Sequence, residues 1–286
     1  DPHGPPTAAA LRLPSPSPPE SAMRLPALLL GLFFSLPALL QAAPVRSTLS
    51  STLDGTEFEH VLVADPTISR QLPALLMVPN WMGISEPSLA KAEKIAAMGY
   101  VVLVADVYGR EVRPKDGREA AAAAGAVKGD RALMRARVNA ALELLRTLPG
   151  ETAQLDRERI GAIGFCFGGT TVLELARSGA ALGGVVSFHG NLDAPLAYEA
   201  GAVKAPILVL HGADDPVVPK AEFDGFVAEM QAGKLDWELI GYGGAVHSFT
   251  DPTANSPGFA QYNEKVAARA FQRMRDFFDE RFGMQQ

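Results

Sequence analysis

The sequence lacks features that several protein classes require. It contains a single cysteine, Cys166, so no disulfide can form within the chain. Its 26 Lys and Arg residues against 32 Asp and Glu residues give a formal net charge of −6, and they form no basic run. Because nucleic-acid binding needs clustered positive charge, the sequence argues against it and favours a small-molecule ligand. The 286 residues, 48% of them hydrophobic, suit one α/β domain.

The first 42 residues do not resemble a folded domain. Residues 1–22 are rich in Pro, Ala and Ser without helical or strand periodicity, and we predict a disordered leader. Residues 23–42 combine a short basic start, an apolar run and small residues at the end, which predicts a secretory signal peptide cleaved after Ala42. An uncleaved membrane anchor is the alternative, although two prolines in the run favour cleavage. The sequence thus predicts an exported protein, periplasmic or secreted, without stable membrane association after cleavage.

Residues 43–286 are predicted to form a single domain of alternating strands and helices. Short apolar runs typical of buried strands alternate with longer segments of helical spacing. The pattern predicts an α/β fold with a doubly wound, mostly parallel sheet and helices on both faces. The predicted strands are 47–53, 58–64, 73–79, 100–105, 160–165, 183–188, 206–211 and 236–240; the predicted helices are 87–98, 129–147, a segment after Gly168, one from about Lys220, and 260–282. Residues 118–126 fit either a helix over the site or a linker, and the sequence leaves the oligomeric state open.

Polar side chains follow several of the predicted strands. Asn80 and Trp81 follow one strand, and Cys166, Asp215 and His247 each follow a later one. Ligands of open α/β sheets bind at the carboxyl ends of the strands. Nucleophile, acid and histidine in this chain order match the α/β-hydrolases.

The glycines around Cys166 have a physical reason in that setting. A nucleophile on a sharp strand-to-helix turn needs neighbours without side chains at positions −2 and +2, and these are Gly164 and Gly168. The turn would also place the Phe167 amide at a helix N-terminus, where it can donate to an oxyanion. A buried structural cysteine is the alternative. A dinucleotide-binding loop is excluded because the glycines do not follow the Gly-x-Gly-x-x-Gly spacing.

The remaining candidates surround this nucleophile. The His-Gly-x-x-Asp spacing selects Asp215 over Asp214 as the acid that orients His247. The second oxyanion donor is predicted to be the Trp81 amide. The predicted substrate pocket comprises Asn80, Tyr108 and His189.

Three segments resemble the active-site motifs of the dienelactone hydrolase family. They are Gly-Phe-Cys-Phe-Gly-Gly, His-Gly-Ala-Asp-Asp-Pro-Val-Val-Pro and Ala-Val-His-Ser-Phe, in that order, and the resemblance spans roughly residues 50–282. It implies a triad of Cys166, Asp215 and His247 that hydrolyses an ester or lactone through an acyl-thioenzyme. It implies no cofactor and no metal.

The chain departs from the family pattern beside the nucleophile. Asn80 stands where the family has a glutamate that is thought to deprotonate the cysteine, so activation would fall to His247. Asp251 replaces the arginine that binds a substrate carboxylate, and Arg118 is the nearest candidate for a second family arginine. The reversed charge at position 251 argues against a carboxylated substrate. A non-catalytic binding protein of this fold and a thiol redox sensor are the two alternative functions.

Overall fold

The fold is built around one eight-stranded sheet. The computed structural model describes residues 44–150, 152–199 and 201–284, so the predicted leader and signal peptide lie outside the described residues. The strands are β1 (Val45–Leu53), β2 (Thr56–Ala64), β3 (Leu72–Val78), β4 (Val101–Val104), β5 (Leu155–Phe165), β6 (Val185–Phe188), β7 (Ile207–Gly212) and β8 (Trp237–Tyr242). Their order in the sheet is β1-β2-β4-β3-β5-β6-β7-β8.

The sheet is antiparallel at one edge and parallel elsewhere. β1 and β2 form a hairpin around a turn at Asp54 and Gly55, and β2 runs antiparallel to β4. The remaining neighbours, from β4 through β8, are parallel. This topology confirms the predicted mostly parallel α/β-hydrolase fold.

Six helices cover both faces of the sheet in the described part of the chain. They are α1 (Glu86–Ala96), α2 (Gly117–Gly129), α3 (Arg131–Thr147), α4 (Phe167–Arg177), α5 (Lys220–Ala232) and α6 (Glu264–Phe282). Apolar side chains of α3, α4 and α5 pack on one face, together with Leu76 and Val78 of β3. Those of α1 and α6 pack on the other, together with Leu75 and Met77. Strand side chains alternate in direction, so a strand covered on both faces is apolar throughout.

The structure decides one helix that the sequence left open and moves the start of another. The segment 118–126 is helical within α2, which begins where the Asp116 side chain accepts a hydrogen bond from the Glu119 amide. The last helix begins at Glu264 rather than at 260. Residues Ala260–Gln261 instead form β10, which pairs with β9 (Asn255–Ser256), and Asn263 caps α6 through the Val266 amide.

Among the described residues, no helix combines the length and the hydrophobicity that crossing a bilayer requires.

Candidate active site

The site lies where the order of the sheet changes direction. From β3 the chain passes to β4 on one side, and it then returns to β5 on the other side of β3. Between such strands the connecting segments diverge, which leaves a crevice at their carboxyl ends. Asn80 and Trp81 follow β3 at this crevice, and Cys166 follows β5.

Cys166 occupies a strained turn between β5 and α4. Its backbone has φ 54° and ψ −118°, a region that residues with a side chain rarely adopt. A methyl group on Gly164 would overlap the Gly168 carbonyl, and one on Gly168 would overlap the Val78 and Pro79 carbonyls. Both glycines are therefore required by the close passage of α4 over β3 and β5, as the spacing predicts.

The structure brings Cys166, His247 and Asp215 into one hydrogen-bonded row. His247 Nε2 lies 3.0 Å from the half-buried Cys166 sulfur, and His247 Nδ1 lies 2.8 Å from Asp215 Oδ2. The other oxygen of Asp215 accepts from the Val217 amide at 2.8 Å. Asp214 points elsewhere and accepts from the Gly244 amide at 3.0 Å. The arrangement can pass a proton between sulfur and imidazole while a carboxylate fixes the ring.

The surroundings of His247 favour its charged form. Burial by itself lowers the pKa of His247, but its hydrogen bonds to Asp215 and Cys166, with their charges, outweigh burial and raise the pKa to about 10. The loop that carries His247 is held by β10, because the Gln261 amide donates to the His247 carbonyl at 3.0 Å. The imidazolium form of His247 is therefore the state that these contacts stabilise.

The backbone amides of Phe167 and Trp81 are oriented by the local structure around each residue. Phe167 is the first residue of α4, where helix amides have no acceptor within the helix. The Gly83 amide donates to the Asn80 carbonyl at 2.9 Å. In a trans peptide the carbonyl and the following N–H point in opposite directions, so this bond turns the Trp81 N–H outward from the turn. The prediction that these amides form an oxyanion hole stays a prediction.

The predicted pocket residues Tyr108 and His189 both make internal contacts. Tyr108 is buried, and its hydroxyl donates to the Trp81 carbonyl at 2.9 Å. His189 is 2% exposed and contacts the backbone of Cys166. The Cys166 amide donates to His189 Nδ1 at 3.1 Å and to the Phe188 carbonyl at 3.0 Å. The two side chains thus hold the backbone of Trp81 and of Cys166 in place through hydrogen bonds.

His189 is held in one tautomer. Burial, aided by the charges of His247 and Lys91, keeps the pKa of His189 well below its ordinary value, so the ring is neutral. Because Nδ1 accepts from the Cys166 amide, Nε2 carries the proton and donates to Thr250 Oγ1 at 2.8 Å.

Asn80 and Asp251, the two departures from the family pattern, are bonded to each other. Asn80 Nδ2 donates to Asp251 Oδ2 at 3.2 Å. Lys91 of α1 lines the same cavity of about 30 Å³ as these two residues, and its Nζ lies 4.1 Å from the centre of the Phe165 ring. Sequence reasoning missed Lys91, because its position within an amphipathic helix resembles that of any surface lysine. Burial lowers the pKa of Lys91 to about 8, although the charges of Asp251 and Cys166 oppose that shift.

Arg118 follows a residue of α2 that lies near the Trp81 ring. It is exposed in the first turn of α2, next to Gly117, where an added methyl group would be 3.4 Å from the Trp81 ring. The Trp81 side chain is itself 40% exposed. In the described ranges, no group of three His, Cys, Asp or Glu side chains is arranged to hold a metal ion.

This sheet, turn and hydrogen-bonded row define the chain as an α/β-hydrolase. The model of the dienelactone hydrolase family matches residues 60–282, and the chain belongs to that family. A solved structure called m3DLH is 38% identical, with a TM-score of 0.78, and the match covers 84% of this chain and 99% of that one. A second, described as the dienelactone hydrolase-like promiscuous phosphotriesterase P91 from metagenomic libraries, is 35% identical, with the same TM-score and coverage of both chains.

A sequence relative from Bradyrhizobium sp is named "Probable 2-oxo-3-(5-oxofuran-2-ylidene)propanoate lactonase". It is 31% identical over 208 residues, which cover 68% of this chain and 81% of the relative.

Proposed function

We propose that the protein hydrolyses carboxylic esters or lactones with Cys166 as the nucleophile. The observation that carries this proposal is the row in which His247 lies 3.0 Å from the Cys166 sulfur and 2.8 Å from Asp215. Membership of the dienelactone hydrolase family and similarity to a lactonase support the reaction class.

The proposed reaction has two halves. The Cys166 thiolate attacks the carbonyl carbon, and the Phe167 and Trp81 amides stabilise the oxyanion. The intermediate collapses with cleavage of the bond to the leaving oxygen, which takes a proton from His247 Nε2. A water then attacks the thioester, gives one proton to His247 and releases the acid as the thiolate is restored.

In this mechanism His247 alone activates the cysteine. The family glutamate is replaced by Asn80, whose amide cannot act as a base. The raised pKa of His247 supports a standing ion pair with the sulfur, so that no separate base is needed when substrate arrives.

We propose neutral rather than carboxylated substrates. Asp251 puts a negative charge where the family pattern has an arginine, and the Lys91 ammonium lies over the Phe165 ring. Comparing kcat/KM for p-nitrophenyl acetate with that for mono-p-nitrophenyl succinate, which carries a free carboxylate, tests this. A preference for the carboxylated ester would refute the proposal and direct attention to Arg118.

Hydrolysis of phosphotriesters is a second candidate activity. It is supported by the 35% identity to P91. Turnover of diethyl p-nitrophenyl phosphate that disappears in Cys166→Ala would support it, and turnover that survives this substitution would contradict it.

The main proposal is tested with Cys166→Ala and with a matched pair of carboxylate variants. Cys166→Ala should abolish turnover of p-nitrophenyl acetate. Asp215→Asn should lower kcat by about 10⁴-fold, the loss known for the buried carboxylate of a triad. Asp214→Asn should have little effect, because an amide oxygen can still accept from Gly244. Full activity of Cys166→Ala would refute the mechanism.

Alkylation separates this enzyme from the alternative functions. Iodoacetamide should label an activated Cys166 thiolate quickly at mild pH, whereas a buried thiol in a binding protein should scarcely react. A redox sensor would show reversible oxidation of Cys166 without esterase activity.

Export remains a proposal that rests on residues 23–42 alone. N-terminal sequencing of the protein recovered outside the cytoplasm should find Ala43 first, and an intact Met23 segment there would contradict cleavage.

A further inference from the structure

Two loops of the candidate site are joined by one side-chain hydrogen bond. Asn80, on the loop after β3, donates through Nδ2 to Asp251 Oδ2 at 3.2 Å, across a sequence separation of 171 residues. Asn80 directly precedes Trp81, and Asp251 follows His247 by four residues. The bond therefore links the loop of the proposed oxyanion amide to the loop of the proposed base.

The Asn80 end of this link is fixed within its own turn. Its side-chain Oδ1 accepts from the Met82 amide at 3.0 Å, and its carbonyl accepts from the Gly83 amide at 2.9 Å. The side-chain oxygen is thus committed to the turn, which leaves the NH₂ group to face Asp251. The same turn orients the Trp81 N–H.

The Asp251 end is equally fixed. Its Oδ1 accepts from the Thr253 amide at 3.0 Å and from the Thr253 hydroxyl at 2.8 Å. Its own amide donates to the Ser248 carbonyl at 2.9 Å, directly after His247. Only Oδ2 remains for Asn80, so the pairing is one donor against one acceptor.

We infer that Asn80 and Asp251 are positioning residues whose hydrogen bond fixes the position of the Trp81 amide relative to His247. The inference rests on the proposed function, because it assigns the two loops to oxyanion binding and proton transfer. Either single exchange of amide for carboxylate breaks the pairing. Asn80→Asp sets two acceptors against each other, and Asp251→Asn sets two donors against each other.

Exchanging both residues restores the pairing with its direction reversed. In Asn80→Asp/Asp251→Asn, residue 80 can still accept from Met82, and residue 251 can still accept from Thr253 while donating to residue 80. Displacement of a catalytic group by about 1 Å costs about 100-fold in rate. Each single variant should therefore lose about 10- to 100-fold in kcat with a smaller change in KM, and the double variant should recover to within about 5-fold of wild type.

Two further measurements separate positioning from general destabilisation. Asp251→Asn should leave the rate of Cys166 alkylation by iodoacetamide within about twofold of wild type, since alkylation needs no oxyanion hole. Thr253→Val is the matched control: it removes a hydrogen bond to the same carboxylate but keeps the link to Asn80, and its kcat should stay within about threefold.

The outcomes distinguish this inference from the proposed function. A double variant as slow as the slower single variant, or a Thr253→Val variant as slow as Asp251→Asn, would overturn the positioning role. Alkylation that falls in parallel with kcat would also overturn it. An inactive wild type, or an active Cys166→Ala, would instead refute the proposed function.

Discussion

The Nε2 atom of His247 lies 3.0 Å from the sulfur of Cys166. At this distance in a half-buried crevice, the charge on either group depends on the other. The pKa of His247 is raised although burial opposes the shift; the hydrogen bond to Asp215 contributes most to the rise, and the hydrogen bond to Cys166 comes next.

Removal of the sulfur should therefore lower the pKa of His247. In Cys166→Ala, burial and Asp215 remain, and we expect the pKa to fall by about one unit or more. A titration of the His247 ring by NMR measures it, with Asp214→Asn as the control that should leave the pKa unchanged. An unchanged value in Cys166→Ala would mean that the sulfur is a neutral thiol.

The two glycines of the turn give a prediction about folding. Gly168→Ala would press a methyl group against the Val78 and Pro79 carbonyls, which are backbone and cannot rotate away. We expect a loss of at least about 3 kcal/mol in the free energy of unfolding, with loss of activity. Gly125, in the middle of α2, has open space around it, so Gly125→Ala should stabilise the protein by up to about 1 kcal/mol. Urea unfolding measures both, and equal effects would contradict the steric account.

A buried ion cluster behind α4 gives a prediction about stability. Glu174 is fully buried, with ion pairs to Arg135 at 2.8 Å and Arg177 at 2.9 Å. Glu174→Gln removes the carboxylate partner of Arg135 and one of two carboxylate partners of Arg177, which keeps Glu229 at 2.7 Å, and should cost about 3 kcal/mol. Glu143→Gln removes an exposed partner of Arg146 and should cost about 0.5 kcal/mol or less. A loss at Glu174 no larger than that at Glu143 in urea unfolding would contradict this assignment.

The parts of the site that could be predicted are those with local sequence signals. The turn at Cys166 depends on glycines within five residues, and the order of Cys166, Asp215 and His247 follows from strands that are themselves recognisable. The link from Asn80 to Asp251 and the ion pairs of Glu174 could not be predicted. They depend on which side chains meet when distant elements pack, and no local pattern encodes that meeting.

The same distinction holds for the fold. The strands of the sheet could be predicted because burial on both faces makes them apolar throughout, as in β3 and β4. The Ala-rich segment of α2 has no such pattern, since only Ala120 and Val127 are buried, and its helical state depends on the cap at Asp116. The sequence predicts a pocket role for His189 and Tyr108, whereas the contacts of these buried side chains with Cys166, Thr250 and Trp81 depend on packing between distant elements.

His60 is the basis of a prediction about acid stability. It is 1% exposed, the Asp106 amide donates to its Nδ1 at 3.1 Å, and its Nε2 lies 2.9 Å from Ser51 Oγ. Burial lowers the pKa of His60 to about 4, and the charge of Asp106 opposes this only in part. The folded state therefore holds the ring neutral, with Nδ1 as an acceptor, at pH values where the unfolded chain takes up a proton.

This difference in proton binding destabilises the folded protein in mild acid. The His60 contribution is complete above the unfolded pKa of 6.5, decreases as the pH falls toward 4, and is constant below that. The loss at this one site should approach about 3 kcal/mol. His60→Asn keeps an acceptor for the Asp106 amide but cannot titrate. The difference in unfolding free energy between wild type and this variant should shift in the variant's favour between pH 7 and pH 4.5, while contributions of other buried histidines cancel. A difference that stays constant over this range would show that His60 is protonated equally in both states.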